Sequence, residues 1–345
     1  MHGVSWYLPT GSPHYNNLAD RSVPKRSSYP RRVYGACSLA MHIYMAALYS
    51  NTYRHGSRYA KLNDREKYVV DHLPHLLESY HYIHKDSYVQ TIREKEDSVF
   101  LDSGAFSAHT LGVEIDLPAY CDYIRRNADI IKVEDGIVLA SVLDGIGDAQ
   151  KTYENQMAME ALGAKPLPCF HVGEDERYLE WYIANYGYIT LGGLVPISTK
   201  QSIIWLDRIW DKYLTDGSGN PRLKVHGFGI TAIPIMERYP WWSCDSSSWI
   251  QSAAYGTVIT PDYGSMSVSE KSPSRHDAGQ HVSTLTTLEN LKVLGMFETQ
   301  GFDYERLSQV YESRAAYNLW AFLEINTAMN ECYTAQYKAA QPELF

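Results

Sequence analysis

No stretch of the 345-residue chain reaches the apolar length of a membrane-spanning helix. Residues Met1 to Thr10 also lack a basic segment followed by an apolar one, so a soluble, cytoplasmic protein is expected. Cysteine is scarce and scattered: Cys37, Cys121, Cys169, Cys244 and Cys332 are odd in number and far apart. That argues against a disulfide framework and against a Cys-x-Cys-x-x-Cys metal knuckle. No Gly-x-Gly-x-x-Gly fingerprint and no long internal repeat occur.

What is present is a chain that is 45% apolar, enough to bury a large core in one big domain or two small ones. Its 28 tyrosines suit stacking surfaces. The net charge of −9 conceals an asymmetry. Through Val70, the bases Arg21, Lys25, Arg26, Arg31, Arg32, Arg54, Arg58, Lys61, Arg65 and Lys67 outnumber Asp20, Asp64 and Glu66. A basic arm on an acidic body suits phosphate binding, and equally suits a solvated N-terminus.

Met1 to Pro30 reads as loop or extended arm. Helical spacing predicts one helix over 32–48 and another over 62–82, with Pro74 near a break. From Ser98 onward, short apolar runs alternate with capped helical patterns. Strand ends are expected at 102, 144, 171, 193, 227 and 245, most of them one βα unit apart. This series fits an α/β fold, a (β/α)8 TIM-type barrel, better than an open sheet. Residues 1–97 are then a basic arm and helices packed on the barrel, 98–331 the barrel with its C-terminal helices, and 332–345 a frayed tail. Gly256 to Ser283 reads as a Ser-, Pro- and Gly-rich loop, followed by helices over 285–297 and 304–331.

In such a barrel the site lies at the C-terminal strand ends, which here carry Asp102, Asp144, His171, Gly193, Gly229 and Asp245. The segment Trp241-Trp242-Ser243-Cys244-Asp245-Ser246-Ser247-Ser248-Trp249 offers one isolated carboxylate among hydroxyls and tryptophans. Asp245 is either a helix cap in a Ser-rich turn or a carboxylate nucleophile in a pocket walled by tryptophans. Asp102 before Gly104 could equally form an Asx turn, and Asp144 before Gly145 a helix cap.

Asp102-Ser103-Gly104-Ala105-Phe106-Ser107 resembles the Asp-Ser-Gly-Gly/Ser-Phe-Gln signature of tRNA-guanine transglycosylases. Leu143-Asp144, Cys169-Phe170-His171-Val172-Gly173, Gly192-Gly193-Leu194-Val195-Pro196 and His226-Gly227-Phe228-Gly229 are similar to that family's base-pocket segments, in the same order. Cys244-Asp245-Ser246-Ser247-Ser248-Trp249 resembles the nucleophile segment of its archaeosine branch. The likeness covers about Val99 to Thr260 and, weakly, Ser313 to Glu331. The family's zinc cluster has no counterpart after Asp245, and the stretch after Glu331 is too short for an archaeal-type RNA-binding domain. The sequence therefore looks most like the zinc-less, DNA-directed, phage-type relatives, which implies a virus-encoded enzyme acting in a host cytoplasm.

The resemblance implies a base exchange in which guanine in DNA is replaced by a 7-deazaguanine through a glycosyl-aspartate, with Asp245 as nucleophile and Asp102 as general acid/base. Asp144 would read the donor edge of the purine, and His171 would hydrogen-bond its carbonyl. Gly192 and Gly193 would let the backbone approach, Phe106 would stack, and Ser103, Leu194, Val195, His226, Gly227 and Phe228 would line the pocket. Arg21, Lys25, Arg26, Arg31, Arg32, Arg54 and Arg58 would hold phosphates while the target base is flipped out. No cofactor, metal or membrane is expected; an overlooked zinc site would draw on Cys332, His276 or His281. Gly193 to Ile197 offers no acid before Asp207, which favours 7-cyano-7-deazaguanine over its cationic aminomethyl analogue. The alternatives are tRNA as substrate, or a catalytically silent barrel that binds nucleic acid. Oligomeric state is not legible.

Overall fold

The computed structural model describes residues 41–340 apart from 196, 262 and 278, and the side chains of that range up to residue 331. Its centre is a curled, all-parallel seven-stranded sheet in a mixed α/β chain. The strands are β1 (His42–Ala46), β2 (Leu76–Ser79), β3 (Val99–Asp102), β6 (Cys169–His171), β7 (Tyr188–Gly192), β8 (Lys224–Gly227) and β9 (Ser243–Ser246), in the spatial order β3-β2-β1-β9-β8-β7-β6. Two small antiparallel hairpins complete the strands: β4 (Val133–Glu134) with β5 (Ile137–Val138), and β10 (Thr257–Thr260) with β11 (Gly264–Ser267).

Two expectations for the first hundred residues are corrected. The helix read over 32–48 is β1 where the chain is described, and the helix read over 62–82 is a short helix, Asp64–Asp71, followed after Pro74 by β2. Both strands lie in the middle of the sheet, so residue 98 is no boundary within it. In β1, Ile43 and Met45 join the core under the helices, while Tyr44 and Ala46 face the opposite way. A strand buried on both faces reads as a continuous apolar run, which five residues cannot distinguish from a helical turn.

Tyr44, Ala46, Leu77, Phe100, Leu139, Leu167 and Tyr188 form one inner cluster. These residues come from strands at both ends of the spatial order, so the sheet must curl to bring them together. Between its edges, Leu101 bridges Ala140 and Ser141 bridges Leu167, both in parallel. The β4–β5 hairpin sits under the inner cluster, where Glu134 accepts hydrogen bonds from the Tyr44 hydroxyl at 2.8 Å and the Trp242 indole at 2.7 Å.

Most outer helices begin where their caps predict. Asp116, Asp148, Asp175 and Ser198 each accept a backbone N–H at the start of helices Leu117–Arg126, Ala149–Ala161, Glu176–Asn185 and Thr199–Ile209. The expected loop after Gly256 contains the β10–β11 hairpin. The last helix, Tyr311–Ala340, runs through most of what was expected to be a frayed tail. It is tied to the sheet by Asn330, which accepts from Met41 N at 2.9 Å and donates to Met41 O at 3.0 Å. Asn318 likewise binds Trp249 O and Ile259 N. Among the described residues, no helix is long and apolar enough to cross a membrane.

Candidate active site

Because the seven strands are parallel, their C-terminal ends gather at one rim of the sheet. Asp102 ends β3 in register with Ser79 at the end of β2, and Asp245 in β9 is in register with Tyr44 in β1. His171 ends β6 opposite Gly192 of β7, and Leu191 pairs with Gly227 of β8.

Asp102 accepts hydrogen bonds on Oδ2 from the Ser79 hydroxyl at 2.7 Å and from Gly104 N at 2.9 Å, while the Ser141 hydroxyl lies 3.4 Å from Oδ1. The Asx turn is therefore real, and Asp102 is half-buried. Only glycine fits at position 104: φ is +76°, and an added Cβ would stand 2.5 Å from the His81 Cβ. Burial pushes the Asp102 carboxyl up to about 6, aided by the charges of Asp144 and Asp245 and opposed by the Ser79 and Gly104 bonds. Three carboxylates thus share one electrostatic neighbourhood.

Asp245 is 8% exposed and lies within β9; it caps no helix. The turn into helix Ser248–Ala254 is served by Ser246 instead, whose hydroxyl accepts from Ser248 N. Gly229 N donates to Asp245 Oδ1 at 2.8 Å, and His226 Nε2 lies 3.4 Å from the same oxygen. That second contact is at ion-pair distance but is not aligned as a hydrogen bond, which leaves Nε2 without one. Beneath it, His226 Nδ1 meets the Ser243 hydroxyl at 2.6 Å, and Ser243 meets the Tyr188 hydroxyl at 2.7 Å. A polar chain therefore runs from the inner core up to Asp245.

The expected tryptophan walls are not there. Trp241 packs outward against Trp210 and Tyr239, and Trp249 donates to Ala46 O and packs edge-on against Tyr53. Trp242 sits at the opposite end of β9 with Glu134 and Lys224. Aromatic contact near Asp245 comes from Phe100 and Phe228, each with its ring centroid 4.6 Å from that of His226.

Asp144 does not cap a helix; that work falls to Asp148. Its Oδ2 lies 3.5 Å from His171 Nε2, and its Oδ1 is buried without a partner. His171 is held from the other side by Glu174, which accepts from Nδ1 at 3.0 Å and from the His171 backbone N–H at 2.9 Å. Burial pushes the imidazole pKa down, but Cys169 and Asp144 push harder the other way and hold it well above the histidine range. Cys169, 3.4 Å from His171 Nε2, is itself pushed up to about 11 by burial. Gly192 leaves room for this group: a Cβ there would lie 2.7 Å from His171 Cδ2.

Around these residues, Phe106 is 64% exposed on helix Ala105–Thr110, and Val195 is 59% exposed with its side chain over Gly229. Leu194 is buried, and Ser103 is turned inward to serve Ala105 N. Gly227 packs on Trp241 and Ile230. Asp207, the first acid after Gly193 along the chain, is paired with Arg238 and Tyr239.

The phosphate-binding set is reduced. Arg21, Lys25, Arg26, Arg31 and Arg32 lie outside the described residues. Arg54 is 3% exposed and forks onto Asp97 while donating to Val70 O, so it is a buried strut with no reach to a phosphate. Arg58 is half-buried, bound to Asn51 and laid over the Tyr53 and Tyr311 rings.

Sequence reasoning missed Ser79 and Ser141, which hold Asp102, and made neither Cys169 nor Glu174, which flank His171, a site residue. Cys169 stood within a quoted pocket segment, and Glu174 lies three residues after His171 in a strand-end turn. His281, one of the residues held in reserve for a metal, is spent on Ser269 O and Ser283. No protein-family model matches the chain, and no curated protein matches its sequence.

Proposed function

We propose that this protein is a base-exchange transglycosylase that replaces guanine in DNA with a 7-deazaguanine. On this reading the fold is a closed (β/α)8 barrel, with residues 139–142 as the strand joining β3 to β6. The observation that carries the reading is the convergence of Asp102, Asp144 and Asp245 at one rim, close enough that the latter two raise the pKa of the first.

The arrangement suits two-step glycosyl transfer. Both described contacts to the Asp245 carboxylate fall on Oδ1, leaving Oδ2 to attack C1′ of a flipped nucleotide as the C1′–N9 bond breaks. Protonated Asp102 gives its proton to the departing guanine. Ionised again, it takes the N9 proton of the incoming base, whose N9 then displaces Asp245 from C1′. A group with a pKa near 6 can do both at neutral pH. The free Asp144 Oδ1 accepts from the purine N–H groups, His171 donates to the carbonyl, and Phe106 covers the ring. Arg21, Lys25, Arg26, Arg31 and Arg32 meet the phosphates.

The test is incorporation of labelled 7-cyano-7-deazaguanine into duplex DNA, with tRNA in a parallel reaction. Exchange into DNA is expected, and Asp245→Asn should lower it by at least about 10³-fold, the scale of a lost nucleophile, without unfolding the protein. Exchange into tRNA alone would move the substrate to RNA; a normal rate in Asp245→Asn would remove the nucleophile.

A further inference from the structure

The structure assigns Asp144, Cys169 and His171 as a binding site for a divalent cation of borderline softness, of which Zn²⁺ is the type. No other group of metal-capable side chains clusters this tightly among the described residues: all three donor atoms lie within 4.8 Å of one another. Sγ to Nε2 is 3.4 Å, and Nε2 to Asp144 Oδ2 is 3.5 Å. Donors at Zn–S of about 2.3 Å and Zn–N or Zn–O of about 2.0–2.1 Å stand roughly 3.3–3.6 Å apart in a tetrahedron, so two edges already have the required length.

Three independent features point the same way. His171 Nδ1 is fixed by Glu174 at 3.0 Å, the carboxylate–histidine pairing that aims Nε2 at a metal. Asp144 Oδ1 is buried without a hydrogen-bond partner, a cost that a cation beside the carboxylate would offset. Gly192 provides the space, because a Cβ there would come within 2.9 Å of Nε2 and 3.2 Å of Sγ. A thiolate, an imidazole and one carboxylate select zinc-like ions over Mg²⁺ or Ca²⁺, which want oxygen donors. Three protein ligands leave a fourth position for water or another ligand.

The ligands come from the end of β6 and from the residue two places after the 139–142 segment, and β7 supplies the glycine floor. The site is thus assembled by the sheet. Metal binding stands without the exchange reading. Its consequence, that the metal and the purine compete for Asp144 and His171, rests on that reading.

The experiment titrates the full chain, freed of metal by chelation, with Co²⁺ and then Zn²⁺. One equivalent of Co²⁺ should produce thiolate-to-cobalt charge-transfer absorption, and Zn²⁺ should abolish it. Cys169→Ser should lose that absorption, and Glu174→Gln, which leaves all three ligands in place, should weaken binding by about 10- to 100-fold. Far-UV circular dichroism identifies any variant that fails to fold, and Glu174→Gln then carries the test alone. Absence of charge-transfer absorption from folded wild-type protein, the same absorption in folded Cys169→Ser, or unchanged affinity in Glu174→Gln would overturn the assignment. Loss of exchange activity with intact Co²⁺ binding would instead bear on the proposed function.

Discussion

At the scale of single residues, Asp102 ties both stability and the proposed activity to pH. Its carboxyl is raised to about 6 from an ordinary 3.8, so the folded protein binds this proton more tightly than the unfolded chain does. The associated stability is complete below about pH 4 and is lost as pH rises through about 6. Asp102→Asn removes the penalty, so denaturant melts should find it more stable than wild type at pH 7.5, by on the order of 2 kcal/mol, with the gap closing toward pH 4. In the proposed exchange, release of guanine needs the protonated form and entry of the new base the ionised one, so the wild-type rate should peak near pH 6 and fall on either side. In the proposed exchange, Glu174 bears on which base enters. Both of its oxygens are taken by His171, so neither is left for an ammonium group near Gly193. The neutral 7-cyano base should therefore outcompete the aminomethyl base by at least about tenfold, or roughly 1.4 kcal/mol. Competition between the two labelled bases checks this, and equal incorporation would mean that an acid is available after all.

Among elements, β1 and the last helix depend on each other. β1 pairs with β2 on one side and β9 on the other. Asn330, from helix Tyr311–Ala340, closes both backbone groups of Met41 just before it. Asn330→Ala should leave a donor and an acceptor unsatisfied and cost about 1–3 kcal/mol. Hydrogen exchange should detect it locally, as faster exchange at the Met41 and His42 amides before the rest of β1 responds. The buried Arg54–Asp97 pair acts in the same structural way, pinning the chain after β1 to the turn before β3. Its charge belongs to the fold, which is why counting bases overstated the basic surface.

For the whole molecule, the place of β1 and β2 decides how the chain unfolds. Had residues 1–97 formed an appended unit, they could melt separately from the rest. Instead β1 lies between β2 and β9, and β2 lies between β1 and β3. Deleting 41–97 would expose the inner faces of β3 and β9 and strip Asp102 of Ser79. Denaturant unfolding should show one transition by tryptophan fluorescence and circular dichroism alike, and a chain starting at residue 98 should not fold. Two separated transitions in the full chain would restore the two-part division.

The sequence by itself determined most of the βα rhythm from Ser98 to Trp249, the helix starts at Asp116, Asp148, Asp175 and Ser198, and the strand ends that carry Asp102, His171 and Asp245; the strand expected to end at 144 is instead the antiparallel β5 followed by single bridges. These are local matters, set by caps, turn glycines and apolar period over a few residues. Three things were decided only by tertiary structure. One was that His42–Ala46 and Leu76–Ser79 are strands, since their hydrogen-bond partners lie far along the chain and their two buried faces show no alternation. Another was that Arg54 is a strut and the tryptophans face away from Asp245, because the direction of a side chain depends on which face its strand presents. The last was that Asp144, Cys169 and His171 come within 4.8 Å of one another, an arrangement that exists only once the end of β6 and the chain beyond residues 139–142 lie side by side.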